Sequence, residues 1–215
     1  MKSFEKWETE EVERAFGITQ KDASNEMDTW LAYQTTFSVK ITERIEGLRL
    51  RHKKMAGYWT EEDLKVFFIM QVIDTIEFYV PNSYRTFMEA TLQADLLDAQ
   101  GNLCTLRGRV EMVVATGKQR PQTPFFFLNE YKPQVKSQSD PQGQLLIAML
   151  TAQAKNNGLN LPIYGLYTIG QFWFFVLLAG KEYTISKAFD ASEADDLAQI
   201  LNVLQFVKEH IEMNI

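Results

Sequence analysis

A carboxylate and an ammonium group follow a short apolar run in the middle of the chain. Residues 125–128 are Phe-Phe-Phe-Leu, framed by prolines, which predicts a central strand buried on both faces. The run continues into Asn129, Glu130 and Lys132, polar groups that a buried strand carries only for a reason. Because side chains alternate along a strand, Glu130 and Lys132 project from the same face, about 7 Å apart. They form either a simple ion pair or half of a metal site.

A second carboxylate upstream favours the metal site. Residues 106–115 are predicted to form a strand, and the one acid in that strand, Glu111, has apolar neighbours. The chain between Glu111 and Glu130 is long enough for the strand to end, turn and return alongside. Two carboxylates at adjacent strand ends repel unless a cation lies between them. Carboxylate oxygens suit Mg²⁺ or Mn²⁺, and Lys132 could then orient or deprotonate a water, or stabilise a developing negative charge.

These segments resemble the PD-(D/E)XK nuclease superfamily. Glu130-Tyr131-Lys132 matches its E-x-K element, and Gly-Arg-Val-Glu at 108–111 is similar to its G-x-x-D segment, with glutamate where the family usually has aspartate. Gln144, which opens the next predicted helix, matches a glutamine of RecB-like members. Their tyrosine four residues later is Ala148 here. The resemblance covers roughly residues 85–190.

The resemblance implies an α/β fold, a restriction-endonuclease-like mixed β-sheet covered by helices on both faces. It implies hydrolysis of DNA phosphodiester bonds with Mg²⁺ or Mn²⁺ held by Glu111, Glu130 and the Tyr131 carbonyl. Lys132 would then act on the water, and Gln144 would position water or phosphate. Two alternatives remain: a nuclease-fold protein that has lost catalysis and binds nucleic acid or serves as an interaction scaffold, and a structural module in which Glu130 and Lys132 are a buried ion pair.

The length and composition of the chain limit the classes of protein to which it can belong. With 215 residues, the chain is one domain or one domain with an extension. The single cysteine, Cys104, excludes an internal disulfide framework. No apolar run reaches the length of a membrane span, and the N-terminus lacks the apolar core of a signal peptide, so a cytoplasmic location without membrane contact is expected. His52 and His210, both among charges on an expected surface, have no partners at zinc spacing.

The charges are unevenly distributed in a protein of net charge −6. Residues 103–136 carry six cations against two carboxylates, and residues 40–54 carry the same excess. Either stretch could lie along phosphates. For residues 40–54, an ordinary solvated helix face is the simpler interpretation.

Residues 1–57 are predicted to be an all-helical extension, with helices at 3–16 and 26–54 joined by a polar linker. These helices would pack over the sheet or form a homodimer contact. Residues 58–215 would form the nuclease-like domain. It begins with a largely buried helix at 64–80, where Asp74 or Glu77 could add an acid to the site, as a helical acid does in some superfamily members.

The remaining pattern places strands between helices. A turn at 98–102 predicts an antiparallel hairpin of strands 84–97 and 103–115, with residues 88–96 alternating. A helix at 141–155 follows the central strand. A strand pair at 163–169 and 172–178, a short edge strand at 183–186 and a helix beginning at Ser192 complete the chain. This order favours a mixed sheet covered on both faces.

Overall fold

Nine strands form one mixed sheet in the computed structural model of the chain, which describes residues 2–132, 140–156, 159 and 161–215. The sheet order is β1-β8-β7-β6-β5-β4-β3-β2, and β9 pairs with β7. The α/β class is confirmed. The strands are β1 (Thr19–Lys21), β2 (Tyr79–Val80), β3 (Tyr84–Leu97), β4 (Leu103–Thr116), β5 (Gln122–Lys132), β6 (Ile163–Ile169), β7 (Phe172–Ala179), β8 (Glu182–Ile185) and β9 (Phe189–Asp190).

Helices cover both faces of this sheet. They are a 3₁₀ helix (Phe4–Lys6), α1 (Thr9–Phe16), α2 (Asn25–Ala32), α3 (Val39–Met55), α4 (Glu61–Leu64), a π-helical segment (Lys65–Ile69), α5 (Met70–Asp74), α6 (Pro141–Lys155) and α7 (Ala194–Met213). One apolar layer lies under the 3₁₀ helix, α1 and α6, and we call that side of the sheet the α6 face. The other lies under α2, α3, the π-helical segment, α5 and α7, and we call it the α7 face. Within the described residues, no helix is both long and apolar enough to cross a membrane.

The central strand β5 is buried on both faces, as predicted. Phe125 and Leu128 contribute to the α6 layer, whereas Phe126, Phe127 and Tyr131 contribute to the α7 layer. β5 runs antiparallel to β4 and parallel to β6, and α6 is the helix of the crossover between β5 and β6. Residues on both faces of a parallel pair must be apolar, which explains the continuous phenylalanine run.

The hairpin of β3 and β4 is confirmed, with one interruption. Asp98 closes the turn by accepting hydrogen bonds from the backbone N–H groups of Gln100 and Asn102. The pairing omits the position where Glu89 lies opposite Glu111, and Glu89 has a left-handed φ of 51°. The alternation predicted for residues 88–96 therefore fails at its start, and Met88 is exposed.

The N-terminal third differs from its prediction in three ways. The single helix predicted at 3–16 is the 3₁₀ helix followed by α1. The helical pattern at 26–54 forms two helices, α2 and α3, separated by residues 33–38. The predicted linker contains β1, which pairs in parallel with β8, so β8 is not the sheet edge. The helices pack on this chain's own sheet on both faces, with Phe4 in the α6 layer and Trp30 in the α7 layer. The domain boundary and a homodimer contact stay predictions.

Two further helices begin or end elsewhere than predicted. The helical pattern at 64–80 ends with α5 at Asp74, and Tyr79–Val80 forms β2. α7 begins at Ala194 with Glu193, not Ser192, at the N-cap position, and the Ser192 N–H donates to the Asp190 carboxylate. The helix predicted at 64–80 contains the π-helical segment, whose Phe68 and Ile69 are fully buried. Single-turn π segments often occur at functional sites, and this one begins at Lys65.

Candidate functional site

The sheet forks between β4 and β5. Their pairing ends at Met112 and Asn129. Beyond this point β4 continues beside β3 as far as Leu103, and β5 continues beside β6 as far as Lys132. Glu111 and Glu130 are therefore the first residues of the two separating strands, at the same level of the sheet. That Glu111, Glu130 and Lys132 cluster at one edge of the central sheet, with Gln144 facing them, stays a prediction.

Glu111 belongs to a cluster of charges on the α7 side of the fork. Its carboxylate oxygen Oε2 lies 2.5 Å from Lys65 Nζ. The same ammonium is 3.6 Å from Glu89 and 4.0 Å from Glu62, and Arg109 is 3.3 Å from Glu89. Lys65 reaches the fork from the α7 face, because Phe68 and Ile69 of the same π-helical segment pack there. A protein cation thus neutralises Glu111 in this structure.

The electrostatics of Lys65 follow from this cluster. Burial opposes its positive charge, but the hydrogen bond from Lys65 to Glu111 and the nearby charges of Glu111, Glu62 and Glu89 together raise the pKa of Lys65. Only 15% of the Lys65 side chain and 28% of the Glu111 side chain are exposed, so solvent screens the pair only in part.

Glu130 projects to the α6 face, since it alternates with Leu128 of the α6 layer and lies beside Tyr167 of that layer in the parallel register. It is 4% exposed. The neighbouring Tyr167 hydroxyl is 3.5 Å from Gln142 Oε1, and burial, with the charge of Asp140, raises the pKa of Tyr167 to about 12. The Glu130 side chain therefore lies on the α6 side of the fork, whereas Lys65 lies on the α7 side.

The other predicted site residues are placed as follows. Tyr131, whose carbonyl was expected to bind a metal, is buried with its side chain in the α7 layer. Lys132 ends β5, where its backbone pairs with Ile169. The Lys132 side chain lies outside the part of the chain that the structure describes, so its role as the group acting on water stays a prediction.

Gln144 lies in the first turns of α6, but its amide is engaged with the N-terminus. Nε2 of Gln144 donates to the Glu5 carbonyl at 3.1 Å, and the helix cap Asp140 accepts from both the N–H and the hydroxyl of Thr9 at 2.7 Å. The 3₁₀ helix thus covers the α6 side of the fork. Gln144 is 2% exposed, and its predicted role toward water or phosphate stays a prediction.

Gly108 explains how the 3₁₀ helix is seated. A Cβ at this position would lie 2.1 Å from Cγ of Phe4, so the Phe4 ring packs directly on the β4 backbone. Gly108, three residues before Glu111, therefore lacks a side chain because the buried Phe4 ring packs against its backbone. This physical reason concerns packing and applies whether or not Glu111 binds a metal.

Asp74 and Glu77, the two helical acids considered for the site, lie on the α7 side. Asp74 is paired with Arg44 of α3 at 2.9 Å, and its side chain is largely exposed. Glu77 is exposed and has a left-handed φ of 56° just after α5. Among described contacts to Glu111, the helical residue is Lys65, a cation, and neither of these acids.

Lys65 and Glu89 are the site residues that the sequence interpretation missed. Lys65 is a single cation between the acidic turn at 61–63 and the apolar run at 66–70, a position that a helical projection places above buried neighbours. Glu89 interrupts an alternating strand. A lone charge that breaks a regular pattern was the available signal in both cases.

His52 is buried and His210 is half-buried, whereas the sequence predicted surface positions for both. His52 is 2% exposed and stacks on Phe68, with ring centroids 4.4 Å apart, and His210 lies edge-on to Tyr164. Burial lowers the pKa of both, and the charge of Asp190 partly opposes this for His52. Their helices turn these residues inward, which the charged neighbours in sequence concealed.

The described residues contain no cluster of three or more histidine, cysteine, aspartate or glutamate side chains able to hold a metal. Glu111 and Glu130 each carry a carboxylate, the donor type that Mg²⁺ and Mn²⁺ prefer. No known protein family matches the chain. No curated protein matches it either.

Proposed function

We propose that this chain is a Mg²⁺- or Mn²⁺-dependent nuclease that hydrolyses DNA phosphodiester bonds, as the resemblance to the PD-(D/E)XK superfamily implies. The observation that carries the proposal is the fork, where Glu111 and Glu130 are the first residues of two separating strands. The succession α5-β2-β3-β4-β5-α6-β6 in a mixed sheet with helices on both faces supports the restriction-endonuclease-like assignment. The carboxyl ends of parallel strands, here β5 and β6, are common ligand sites.

The donor chemistry fits a hard cation. Glu111 already takes a cationic partner, and Glu130 is the first residue of β5 beyond its pairing with β4, as Glu111 is on β4. Glu111, Glu130 and the Tyr131 carbonyl would hold the ion. A bound Mg²⁺ or Mn²⁺ would polarise the phosphoryl oxygen and acidify water.

The chain's own groups would act around that ion. Lys132 follows Glu130 by two residues on the same strand and would orient or deprotonate the attacking water. Lys65 contacts Glu111 now, so Glu111 must exchange this ammonium for the metal. The Lys65 ammonium would then be available to neutralise a substrate phosphate.

Cleavage of duplex and single-stranded DNA in Mg²⁺, Mn²⁺ or EDTA tests the proposal. We expect metal-dependent cleavage by the wild type and a rise in melting temperature with metal. Glu130→Gln and Lys132→Ala should each lower the cleavage rate at least about 100-fold. Lys54→Ala, at an exposed position on α3, is the matched control and should cleave like the wild type.

Melting curves separate this site from a structural ion pair. At a metal site, Glu130→Gln removes repulsion between carboxylates, so stability without metal should be unchanged or raised. If Glu130 and Lys132 were a buried structural pair, Lys132→Ala would cost about 3–5 kcal/mol. That loss, with neither a metal shift nor cleavage in the wild type, would refute the nuclease proposal.

A second candidate is a nuclease-fold protein without catalysis that binds nucleic acid or serves as an interaction scaffold. The observation that favours it is the Lys65–Glu111 pair, which neutralises one of the two carboxylates without a metal. Under this candidate, DNA binding would persist in EDTA, and no divalent metal would change the melting temperature.

A further inference from the structure

Two adjoining cavities lie at the β3 side of the sheet: the first is lined by the residues before β3 and by the β4–β5 connection, and the second by residues 85–91 of β3. One has a volume of about 850 Å³ and the other about 690 Å³, and Gln119 and Arg120 line both. We call the combined groove the basic trough. It extends from Ser83 to Thr91, and Lys155 of α6 lines its far wall.

Four cations line this trough against one carboxylate, Glu89. The cations are Arg85, Lys118, Arg120 and Lys155. Within the described part of the chain, none of the four is in an ion pair. In a protein of net charge −6, this is a local positive surface open to a polyanion.

Contacts within the trough hold two of these cations in place. Arg85 donates from Nε to the Lys118 carbonyl at 3.0 Å, and its guanidinium lies 4.0 Å from the centre of the Phe87 ring. Lys155 Nζ donates to the Gln93 carbonyl at 3.3 Å. Such fixed cations lose little side-chain entropy when they bind phosphate.

The exposed pair, Lys118 and Arg120, is presented by a turn that requires glycine. Gly117 has a φ of 105°, and a Cβ there would lie 2.3 Å from the Arg120 carbonyl oxygen. The turn projects both cations over the trough, beside hydroxyl and amide groups of Ser83, Thr116 and Gln122. Lys, Arg, hydroxyl and amide groups are the usual ligands of nucleic-acid phosphates.

The edge of β3 adds backbone donors. β2 pairs only with Tyr84 and Arg85, so from Thr86 onward the outer side of β3 has no strand partner among the described residues. The stretch from Arg85 to Thr91 is about 20 Å long. One strand of a duplex presents a phosphate about every 3.4 Å of helix axis, so about six phosphates fall within this length, and those on the near side of the helix would face the trough.

The trough offers little surface for stacking bases. Its two aromatic residues, Phe87 and Phe125, are buried. Proteins that hold single strands rely on exposed aromatic platforms, so the trough fits the backbone of a duplex. At its Thr91 end lies Glu89, which contacts both Lys65 and Arg109 next to Glu111. One residue of the trough, Glu89, is thus part of the charge cluster at Glu111.

We propose that the basic trough binds the sugar-phosphate backbone of double-stranded DNA, without base preference, and delivers it to the fork. The proposal deepens the nuclease assignment and rests on it for the direction of the DNA. Phosphate binding itself requires only the trough.

The test is the affinity of the full chain for a fluorescent duplex of about 20 base pairs, measured in EDTA from about 50 to 200 mM salt. Lys118→Gln/Arg120→Gln should weaken binding about tenfold or more at the lower salt and reduce the slope of log K against log salt by about 1.8, since two phosphate contacts are lost. The control is Lys40→Gln/Lys54→Gln. It removes the same charge from exposed positions on α3, and its slope should match the wild type.

If the two double variants changed affinity and salt slope equally, the proposal that the trough binds DNA would be refuted, because bulk charge alone would then explain binding. Tighter binding of a single strand than of the duplex would overturn it as well. If duplex binding depends on Lys118 and Arg120 but no metal supports cleavage, the proposal that the trough binds DNA is supported and the nuclease assignment is refuted. If the wild type cleaves DNA and Lys118→Gln/Arg120→Gln leaves KM unchanged, the nuclease assignment is supported and the DNA-binding role of the trough is refuted.

Discussion

Replacement of Lys65 by methionine tests whether this residue occupies the place of a metal at Glu111. The change keeps the length and apolar stem of the side chain and removes the ammonium that lies 2.5 Å from Glu111. Glu111 then loses its main donor while remaining largely covered. A polar group deprived of its partner in this way costs about 1–3 kcal/mol. For a chain of this size that is a fall in melting temperature of roughly 2–12 °C.

Divalent metal should reverse this loss if the fork binds it. Without the competing ammonium, Mn²⁺ affinity should rise about tenfold, which adds up to about 1.4 kcal/mol of stabilisation at saturating metal. The assay is a thermal melt of the wild type and Lys65→Met over a series of Mn²⁺ concentrations. Lys187→Met, at an exposed lysine, is the matched control and should behave like the wild type.

Two results would contradict the reasoning. If Lys65→Met lowers the melting temperature and Mn²⁺ restores none of it, the pair with Glu111 is structural only. If Lys65→Met changes neither the melting temperature nor its rise with Mn²⁺, the Lys65–Glu111 pair contributes nothing measurable to stability or metal binding. The double variant Lys65→Met/Glu111→Gln should melt above Lys65→Met without metal and show no Mn²⁺ shift, because the carboxylate and its repulsion with Glu89 are gone.

Two further predictions concern stability. Because burial lowers the pKa of His52 and His210 below the unfolded value near 6.5, the unfolded chain binds more protons. Their contribution is present above that value and is lost as the pH falls through the lower folded pKa. We expect denaturant midpoints to fall between pH 7.5 and 5.5, and His52→Phe to reduce this dependence; an unchanged dependence in His52→Phe and in His210→Phe would refute the assignment. Gly108→Ala should cost about 1–3 kcal/mol in denaturant unfolding, because the added methyl displaces Phe4. In a double-mutant cycle with Phe4→Ala the two losses should be less than additive, and full additivity would show that Phe4 does not pack on Gly108.

Periodicity and turn chemistry allowed much of the fold to be predicted. The phenylalanine run of β5, the Asp98 turn between β3 and β4, and α6 all appear where the sequence predicted them. Each depends on local features: a two-sided apolar strand, an aspartate that caps its own turn, and a helix with Asp140 before proline. Local features of this kind are visible in one short window of sequence.

Where local preference competes with packing, the prediction failed. The pattern at 26–54 lacks a proline to end the helix, yet α2 and α3 separate, and Trp30 of α2 donates to the Val203 carbonyl of α7. Thr19–Lys21 has no strand signal, and it forms β1 because β8 offers a free edge. His52 and His210 have charged sequence neighbours and face apolar partners on other elements. For Trp30 and for β1 the deciding partner is more than 100 residues away in sequence, and for His52 and His210 it lies on another element.

For the candidate site, the sequence by itself determined which groups lie on which strands: Glu111 on β4, and Glu130 and Lys132 on β5, with Gln144 at the start of α6. Side-chain alternation and strand length suffice for that. Only the tertiary structure decided that the sheet forks at Glu111 and Glu130, that Lys65 neutralises Glu111, and that Gln144 donates to Glu5. The physical reason is that a buried charge takes whichever partner the packing of distant elements brings within reach.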